Sequence, residues 1–473
     1  MDMEEFMSAT ELAVAIRSKD LSPLEAMDAC LEKVDQLNGS VNAVIWRDDQ
    51  EAREKAKQAT DRLLAAGDPS VDLPPFHGVP IPIKDLTKVR GWPITYGSWA
   101  GPKELSSETE LVVRAFEDGG FVLAGRTNTP ELGPLPVSEN LRYGITRNPW
   151  DLARTPGGSS GGAAAAVASG MFPIAHGNDG GGSLRIPASC CGLVGLKPSR
   201  GRVPAMVHAW EGAAVEGVVT TTVADTAAVL DCMARFDPFS WYNAPQPSRP
   251  FVSELGAPLR NLRIALSQTP PLGLTPDPEC MSAVEEAGTL LESLGHSVEP
   301  FEGDLVTPEL VGNFVNMVNG AYAEYPIEDV NLLEPHNRTG LALARDMDCL
   351  QYRSSILALE RASREIVSLW ASKFDVLVTP TMAIQPPPAG YVMEEAHRQE
   401  TVLVSEVLSM TAYTAVFNVT GQPAISLPLG MSESGLPIGV QFVGGPWAEG
   451  MLIRLASQIE QAAPWSERHA SLR

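Results

Sequence analysis

Residues 177–187 read GNDGGGSLRIP, and the three consecutive glycines in this stretch stand directly before Ser183. Glycine loses more conformational entropy on folding than any other residue. A run of three is therefore unfavourable unless the backbone has to bend sharply or approach another group closely. The stretch indicates either a flexible loop or a functional site built around Ser183.

The residues on either side of this stretch have the pattern of a compact unit of helices and strands. A run of small residues, Ala163–Ser169, predicts a helix that packs closely against its neighbours, while 172–177 and 191–198 predict strands. The adjacent residues Cys190 and Cys191 cannot readily form a disulfide with each other. We expect both to pack in the core, or else to form a small part of a pocket wall.

Helical and strand patterns alternate along the rest of the chain. Residues 8–66 have a helical pattern that begins at a capping box from Ser8 to Glu11. Apolar β-type runs over 76–86 and 119–128 flank a further helical stretch. Other predicted elements are helices over 222–234 and 277–295, a strand over 261–268, a linker or long surface loop over 238–258, and a β-hairpin over 422–444. Such alternation is typical of an α/β fold with helices on both faces of a sheet, and the lack of internal repeats favours one large domain.

Composition and charge exclude several classes of protein. The 473 residues carry a formal net charge of -23 with no cluster of lysine or arginine, so neither nucleic acid nor an anionic membrane is an expected partner. No basic-then-apolar signal segment and no apolar run of membrane-spanning length is found, so we expect a cytoplasmic protein. The six cysteines and seven histidines lack metal-ligand spacing, and no dinucleotide fingerprint follows a strand. We therefore expect no metal and no organic cofactor.

Three groups are candidates for chemistry: Lys84 in an apolar run, the pair Ser159 and Ser160 between two glycine pairs, and Ser183. Each alone also has an ordinary structural interpretation. A lysine beside Asp85 is typical of a solvated surface charge. The GGSSGG motif is typical of a flexible turn, a helix cap or a phosphate-binding loop, although it lacks the ending of a P-loop.

A reaction with a serine nucleophile would require all of these groups together. A serine hydroxyl attacks only when a base removes its proton, and none of the histidines lies in a glycine-rich GxSxG setting. We therefore assign the lysine as the base. A second serine can relay the proton because a hydroxyl donates and accepts at once, and backbone N–H groups of the glycine run can stabilise an oxyanion.

The sequence strongly resembles the amidase signature family over nearly the whole chain. The motifs that carry the resemblance are HGVPIPIKDL, RTNTPELG, YGITRNPWDLARTPGGSSGGAAAAVASG, GNDGGGSLRIPASCCGLVGLKPSRGRVP, VTPT and NVTGQPAISLPLG. Ser159 follows Lys84 by 75 residues and Ser183 follows Ser159 by 24, and both separations fit the family. The resemblance implies an α/β fold with a single large domain, in which a mixed β-sheet is sandwiched between layers of α-helices.

The resemblance also implies roles for individual residues. Ser183 would be the acyl-accepting nucleophile, Ser159 the bridging serine held on a cis peptide, and Lys84 the terminal base. The implied oxyanion donors are the backbone N–H groups of Gly180, Gly181, Gly182 and Ser183. We interpret Asp179 and Arg185, which flank the nucleophile, as a structural pair rather than as reactants.

Substrate contacts are harder to assign, because members of this family differ most after about residue 205 and between about 313 and 400. One domain over 1–473 would contain an N-terminal helical segment (1–70), a catalytic core (76–204), variable substrate-binding segments (205–420) and a sheet-completing C-terminal segment (421–473). Candidate substrate-binding residues are Gly133, Pro134, Met206, Trp210, Phe314 and Met317, with Tyr322 and Tyr413 as further aromatic candidates. Aromatic residues at such spacings are equally typical of a protein core.

We therefore expect hydrolysis of carbon–nitrogen bonds in amides, with apolar or aryl amides favoured, through an acyl-enzyme on Ser183. Two alternatives stay open: a carbamate (urethane) or ester hydrolase that uses the same three residues, and an amidotransferase A-type subunit that acts only in a complex. A non-catalytic scaffold is disfavoured because it has no use for a lysine near two serines. The expected partners are a small-molecule amide or carbamate and water, with the chain a monomer or homodimer.

Overall fold

The computed structural model describes residues 7–65, 73–267, 269–466, 468 and 470. Residues 1–6 and 66–70 of the predicted N-terminal helical segment lie outside the described residues. So does Gln268, the last residue of the strand predicted over 261–268. None of the helices in the described ranges is both long enough and apolar enough to cross a lipid bilayer.

The chain alternates helices and strands in the described ranges. The helices are α1 (Ala9–Arg17), α2 (Pro23–Val41), α3 (Asp49–Ala65), α4 (Leu111–Gly119), α5 (Gly161–Ala168), α6 (Arg185–Cys191), α7 (Val223–Met233), α8 (Pro278–Ser293), α9 (Pro308–Gly320), α10 (Pro335–Asp346), α11 (Cys349–Ser372), α12 (Tyr391–Gln399), α13 (Ser405–Thr411), α14 (Ala415–Thr420) and α15 (Glu449–Ala462). The strands are β1 (Val44–Trp46), β2 (Pro80–Lys84), β3 (Val122–Thr127), β4 (Glu139–Asn140), β5 (Gly144–Ile145), β6 (Ile174–Asp179), β7 (Val194–Lys197), β8 (Val215–Thr220), β9 (Arg263–Ser267), β10 (Ser297–Phe301), β11 (Val376–Pro380), β12 (Ala424–Met431) and β13 (Pro437–Gly444). Short 3₁₀ helices are found at Ala209–Gly212, Phe251–Glu254, Pro271–Gly273, Ala321–Glu324 and Val330–Leu332.

The largest sheet in the described chain has eight strands in the order β10-β9-β11-β13-β12-β7-β8-β6. Strand β9 pairs in parallel with β10 and β11, whereas the other neighbouring strands pair antiparallel. The predicted hairpin forms β12 and β13 near the centre of this sheet. A smaller sheet has the order β1-β3-β2, and β4 pairs with β5. The main sheet is therefore mixed, as the family resemblance implied.

Helices cover both faces of the eight-stranded sheet. Ile425 and Leu427 of β12 belong to a buried cluster that includes apolar residues of α7, α8 and α15. Ala424, the preceding residue of the strand, belongs to another cluster with residues of α9, α11 and α14. Because successive strand residues point to opposite faces, these two clusters lie on opposite sides of the sheet. The predicted α/β fold, a single domain with a mixed sheet between helical layers, is confirmed.

The glycine-rich centre folds much as its small residues require. Helix α5 covers most of the helix predicted at Ala163–Ser169 but starts earlier, at Gly161. A Cβ atom at Gly162 would lie 2.4 Å from the backbone nitrogen of Asn128, so only glycine permits this close approach. Close packing of this helix brings the loop before it, which carries the tandem serines, into the protein interior.

The end of α6 differs from the sequence prediction. Cys190 and Cys191 are both buried within this helix, which agrees with core packing. The strand predicted over 191–198 starts only at Val194, because Cys191 is the last helical residue and Gly192 ends the helix with φ 72°. Glycine is suited to this left-handed position, which commonly closes helices.

The segment predicted as a linker or long loop over 238–258 is a surface loop that packs on the domain. Phe251 is buried in its 3₁₀ helix. The backbone N–H groups of Phe251 and Val252 donate hydrogen bonds of 2.6 and 3.0 Å to the carboxylate of Asp231 on α7. These contacts fix the segment to the core, so it does not separate two domains.

Candidate active site

The three side chains selected from the sequence lie together in the structure. Lys84 is the last residue of β2, Ser159 lies in the loop that leads into α5, and Ser183 follows β6. Nζ of Lys84 lies 2.7 Å from Oγ of Ser159, which lies 2.9 Å from Oγ of Ser183. The peptide bond between Gly158 and Ser159 is cis. The result is a continuous hydrogen-bonded path from an amine to a serine hydroxyl through a second hydroxyl.

Lys84 is fully buried. Within the described residues, the hydrogen bonds of its amine all go to neutral side chains. Besides Ser159, Nζ contacts Oγ of Ser160 at 2.9 Å and Oδ1 of Asn178 at 2.7 Å. Burial lowers the pKa of Lys84 to about 7, although the negative charges of Glu216 and Asp179 oppose this shift. The amine therefore has a large neutral fraction near neutral pH, and a neutral amine can accept a proton.

Asp85, the residue after the lysine, is directed away from the amine. Its carboxylate accepts hydrogen bonds from the backbone N–H of Thr95 at 3.1 Å and of Gly97 at 3.2 Å, and from the Thr95 hydroxyl. Nε of Arg126 lies 3.6 Å from the same carboxylate. An ionised carboxylate beside Lys84 would raise the lysine pKa, so binding Asp85 elsewhere keeps the amine neutral.

The Asp179 carboxylate holds the glycine turn in shape. It accepts hydrogen bonds from the backbone N–H of Gly182 at 2.8 Å and of Leu184 at 3.1 Å. The N–H of Gly182 therefore has an acceptor already, which corrects its assignment as an oxyanion donor in this conformation. The predicted donors with no acceptor among the described residues are Gly180, Gly181 and Ser183.

Asp179 and Arg185 form a buried ion pair, with Nη2 and Nε of Arg185 at 2.8 and 2.9 Å from the two carboxylate oxygens. Burial by itself raises the pKa of Asp179, but the charge and hydrogen bonds of Arg185 outweigh burial and hold this pKa well below its usual range. The remaining guanidinium donors reach Oδ1 of Asn418 and Oε1 of Gln441, each at 2.6 Å, and the backbone oxygen of Thr414 at 3.0 Å. The geometry agrees with a structural pair, because neither partner contacts the lysine–serine path.

The sequence did not identify several residues that support the site. Asn178 contacts the lysine amine, Asn418 donates to the backbone oxygen of Asp179 at 2.8 Å, and the Thr414 hydroxyl donates to the backbone oxygen of Gly181 at 2.7 Å. Asn178 and Asn418 both lie in motifs that carry the family resemblance. No signal in the sequence shows, however, that α14 lies against the glycine turn.

An apolar cavity adjoins the serine path, and Gly181 and Ser183 form part of its wall. Valine and leucine side chains of α9 and α13 supply much of the remaining lining. Of the predicted substrate-binding residues, four line this cavity: Gly133, Pro134, Trp210 and Phe314. None of the described residues that line it is charged, so the cavity suits an uncharged, apolar group.

Two predicted substrate-binding residues lie elsewhere, and so do the further candidates Tyr322 and Tyr413, which are buried but are not part of the cavity wall. Met206 is in an exposed loop, with 44% of its surface accessible, and is not part of the cavity wall. Met317 is buried in the core cluster with Ile356 of α11. Helix α9 turns positions 311, 314, 315 and 318 toward the cavity, and its period places Met317 on a neighbouring face that packs in the core. Spacing alone could not separate these two faces.

Comparisons with known proteins agree with the fold and identify the family. The family model described as Amidase matches residues 25–453. The chain is 36% identical over 499 residues to the 6-aminohexanoate-cyclic-dimer hydrolase of Pseudomonas sp. (strain NK87), covering 99% of this chain and 97% of that protein. It also resembles the solved structure of a 6-aminohexanoate cyclic dimer hydrolase complexed with substrate (TM-score 0.91, 34% identity, 99% of each chain). A bacterial aryl acylamidase of the amidase signature enzymes is similar too (TM-score 0.86, 27% identity, 98% of this chain and 97% of that chain).

The chain belongs to the amidase signature family, and it is an amide-hydrolysing enzyme. The family resemblance and the enzyme class predicted from the sequence are confirmed. Amides and water are therefore its substrates.

The buried ion pair predicts a large stability effect. Replacing Arg185 by alanine should lower the free energy of unfolding by about 3–5 kcal/mol, because it leaves the Asp179 carboxylate buried without its partner. The matched control is Arg235→Ala, since Arg235 pairs with Asp118 at the surface, where their side chains are 40% and 63% exposed. Arg235→Ala should lower the free energy of unfolding by less than about 1 kcal/mol. Urea unfolding of both variants measures the difference, and equal losses would contradict a structural role for Arg185.

Proposed function

We propose that the enzyme hydrolyses uncharged apolar or aryl amides through an acyl-enzyme on Ser183. The observation that carries this proposal is the continuous hydrogen-bonded path Lys84–Ser159–Ser183, whose last hydroxyl lies on the wall of an apolar cavity. A nucleophile, its base and a place for an apolar substrate group are thus adjacent. This is the combination that serine-based acyl transfer requires.

In the acylation step, Ser183 Oγ forms a bond to the amide carbonyl carbon. Its proton passes to Oγ of Ser159 as the proton of Ser159 passes to the neutral Lys84 amine. The carbonyl oxygen becomes an oxyanion, and the unpaired N–H groups of the glycine turn are available to stabilise it. Ser159 gains one proton and loses one, whereas Ser183 exchanges its proton for the bond to carbon. The positive charge gained by Lys84 therefore balances the negative charge of the oxyanion.

The acyl-enzyme forms when the carbon–nitrogen bond of this tetrahedral intermediate breaks. The leaving nitrogen takes a proton from Ser159, which is replaced from the Lys84 ammonium, so the amine departs neutral. A water molecule then attacks the ester on Ser183 and loses its proton through the same relay. Collapse of the second intermediate returns the proton to Ser183 and releases the carboxylic acid.

The substrate class follows from the cavity. A cavity lined by uncharged side chains gives a charged substrate group no partner, and transferring a charge from water into such surroundings is costly. The similar proteins named above include a 6-aminohexanoate-cyclic-dimer hydrolase and an aryl acylamidase, and the second name denotes an aryl amide substrate. We therefore favour an amide whose acyl or amine part is apolar.

The lysine pKa predicts the pH dependence of the rate. Only the neutral form of Lys84 accepts a proton, so kcat/KM should rise with pH and level off above about 7. Lys84→Met should remove this ionisation and lower kcat/KM by roughly 100- to 10,000-fold, the usual contribution of a general base.

The matched control for this experiment is Lys197→Met. Lys197 is also buried with a pKa lowered to about 7, but its recorded hydrogen bond is to the backbone oxygen of Pro198 and not to a serine. This variant should keep both the rate and the ionisation. A Lys84→Met enzyme that keeps the wild-type pH profile would contradict the proposed base.

The cavity assignment predicts how substrate preference changes. Phe314→Ala should lower kcat/KM for an anilide by about 10- to 100-fold, because burial of an aromatic group is worth about 1.5–3 kcal/mol. Phe239→Ala, the same change at a residue that is 91% exposed, should have no effect. If Phe314→Ala and Phe239→Ala have the same kcat/KM for the anilide, the proposal that the cavity binds the substrate is contradicted.

A panel of matched anilide, primary amide, carbamate and ester substrates decides the preferred bond, and an anilide with a distal carboxylate tests the effect of charge. With the purified chain alone, the uncharged anilide should be hydrolysed faster than the anilide that carries the carboxylate. Preference for the carbamate or ester would favour that alternative. Activity seen only after other subunits are added would instead favour an amidotransferase subunit.

A further inference from the structure

A cluster of potential metal-ligand atoms lies apart from the lysine–serine path, where the start of α10 meets the end of α12. It contains Glu334, which directly precedes α10, His336 in its first turn, and His397 near the end of α12. One carboxylate oxygen and one ring nitrogen from each histidine lie within 4.8 Å of one another. Glu334 and His397 are 63 residues apart in sequence, so local spacing could not reveal the cluster.

The Glu334 carboxylate is oriented toward the two imidazoles. One oxygen, Oε1, accepts a hydrogen bond of 2.7 Å from the backbone N–H of Leu141. The other, Oε2, lies 2.9 Å from Nε2 of His397 and 4.0 Å from Nδ1 of His336. The backbone contact thus fixes the carboxylate, and the second oxygen is left facing both rings.

His336 has no ordinary explanation as a core residue. Its side chain is fully buried, and neither ring nitrogen has a hydrogen-bond partner in the part of the chain that the structure describes. Its ring stacks on that of His397, with centroids 5.4 Å apart. Burying a polar group without a partner is unfavourable. An ion pair between Glu334 and His397 would account for His397 but not for His336.

We propose that Glu334, His336 and His397 bind one divalent late first-row transition-metal ion, with Zn²⁺ as the best fit. Two imidazoles and one carboxylate form a common zinc ligand set, and imidazole nitrogen disfavours Mg²⁺ and Ca²⁺. Tetrahedral ligands about 2.0–2.1 Å from zinc lie about 3.3 Å apart. The observed separations of 2.9 and 4.0 Å bracket this value. His397 is 18% exposed, which leaves an open side for a water ligand.

The surrounding charge also favours a cation. Oε2 of Glu131 accepts a hydrogen bond of 2.7 Å from the backbone N–H of Glu334, so two buried carboxylates are neighbours. A bound dication would offset this concentration of negative charge.

The ion would join α10 and α12, which lie next to segments that form the cavity. Helix α10 packs against α9, which carries Phe314, and α12 is followed by α13, which carries Val407 of the cavity wall. No step of the hydrolytic reaction passes through the ion. Its role would be to hold the two walls in place, so the site is structural and independent of the proposed chemistry.

Metal binding to the full chain tests this proposal directly. Chelator-treated protein should take up one Zn²⁺ per chain in equilibrium dialysis, gain thermal stability, and give with Co²⁺ the visible absorption of a tetrahedral site. His336→Phe keeps the ring stack but removes the ligand nitrogens, and His397→Gln removes the second imidazole. Each should weaken binding at least about 10-fold, since even groups that only orient metal ligands are worth about 10- to 100-fold.

The matched control is His208→Gln, which removes a histidine whose ring contacts Ser240 outside the cluster. This variant should bind Zn²⁺ as the wild type does. The proposal is overturned if the wild-type chain takes up no Zn²⁺, or if His336→Phe and His397→Gln both bind it normally. Loss of binding in His208→Gln would also overturn it by placing the ion elsewhere.

Discussion

The proposed active site depends on keeping one buried lysine uncharged. Lys84 has no solvent contact, and its amine meets two serine hydroxyls and an amide oxygen rather than a carboxylate. Burial without a charged partner lowers the lysine pKa, and this makes the amine a base near neutral pH. The same constraint explains why the adjacent Asp85 is bound by backbone N–H groups on another loop.

Charged groups lie beneath the glycine turn rather than beside the Lys84 amine. The Asp179–Arg185 pair is fully buried, and its hydrogen bonds extend to the N–H groups of the turn and to Asn418 on α14. An ionised pair whose polar atoms are satisfied is rigid, because any displacement would leave a buried charge unpaired. The turn that carries Ser183 is therefore held by charges, while the proposed relay to Ser183 is composed of neutral groups.

Sequence motifs predicted the fold and the lysine–serine path, but not what surrounds them. Lys84, Ser159 and Ser183 lie in motifs that carry the family resemblance. The contact of Asn418 with the turn depends on how α14 packs, which no local pattern encodes. Met317 was predicted as a substrate contact because it lies in a segment that varies within the family, but only the packing of α9 shows which face of the helix meets the cavity.

Trapping the acyl-enzyme tests the central claim most directly. A slowly deacylating aryl ester or carbamate, mixed with the purified chain, should add one acyl group per chain by intact-mass spectrometry, and peptide mapping should place it on Ser183. The Ser183→Ala variant should acquire no adduct and should lose nearly all turnover while it stays folded. An adduct on Ser160, or wild-type turnover by Ser183→Ala, would contradict the account.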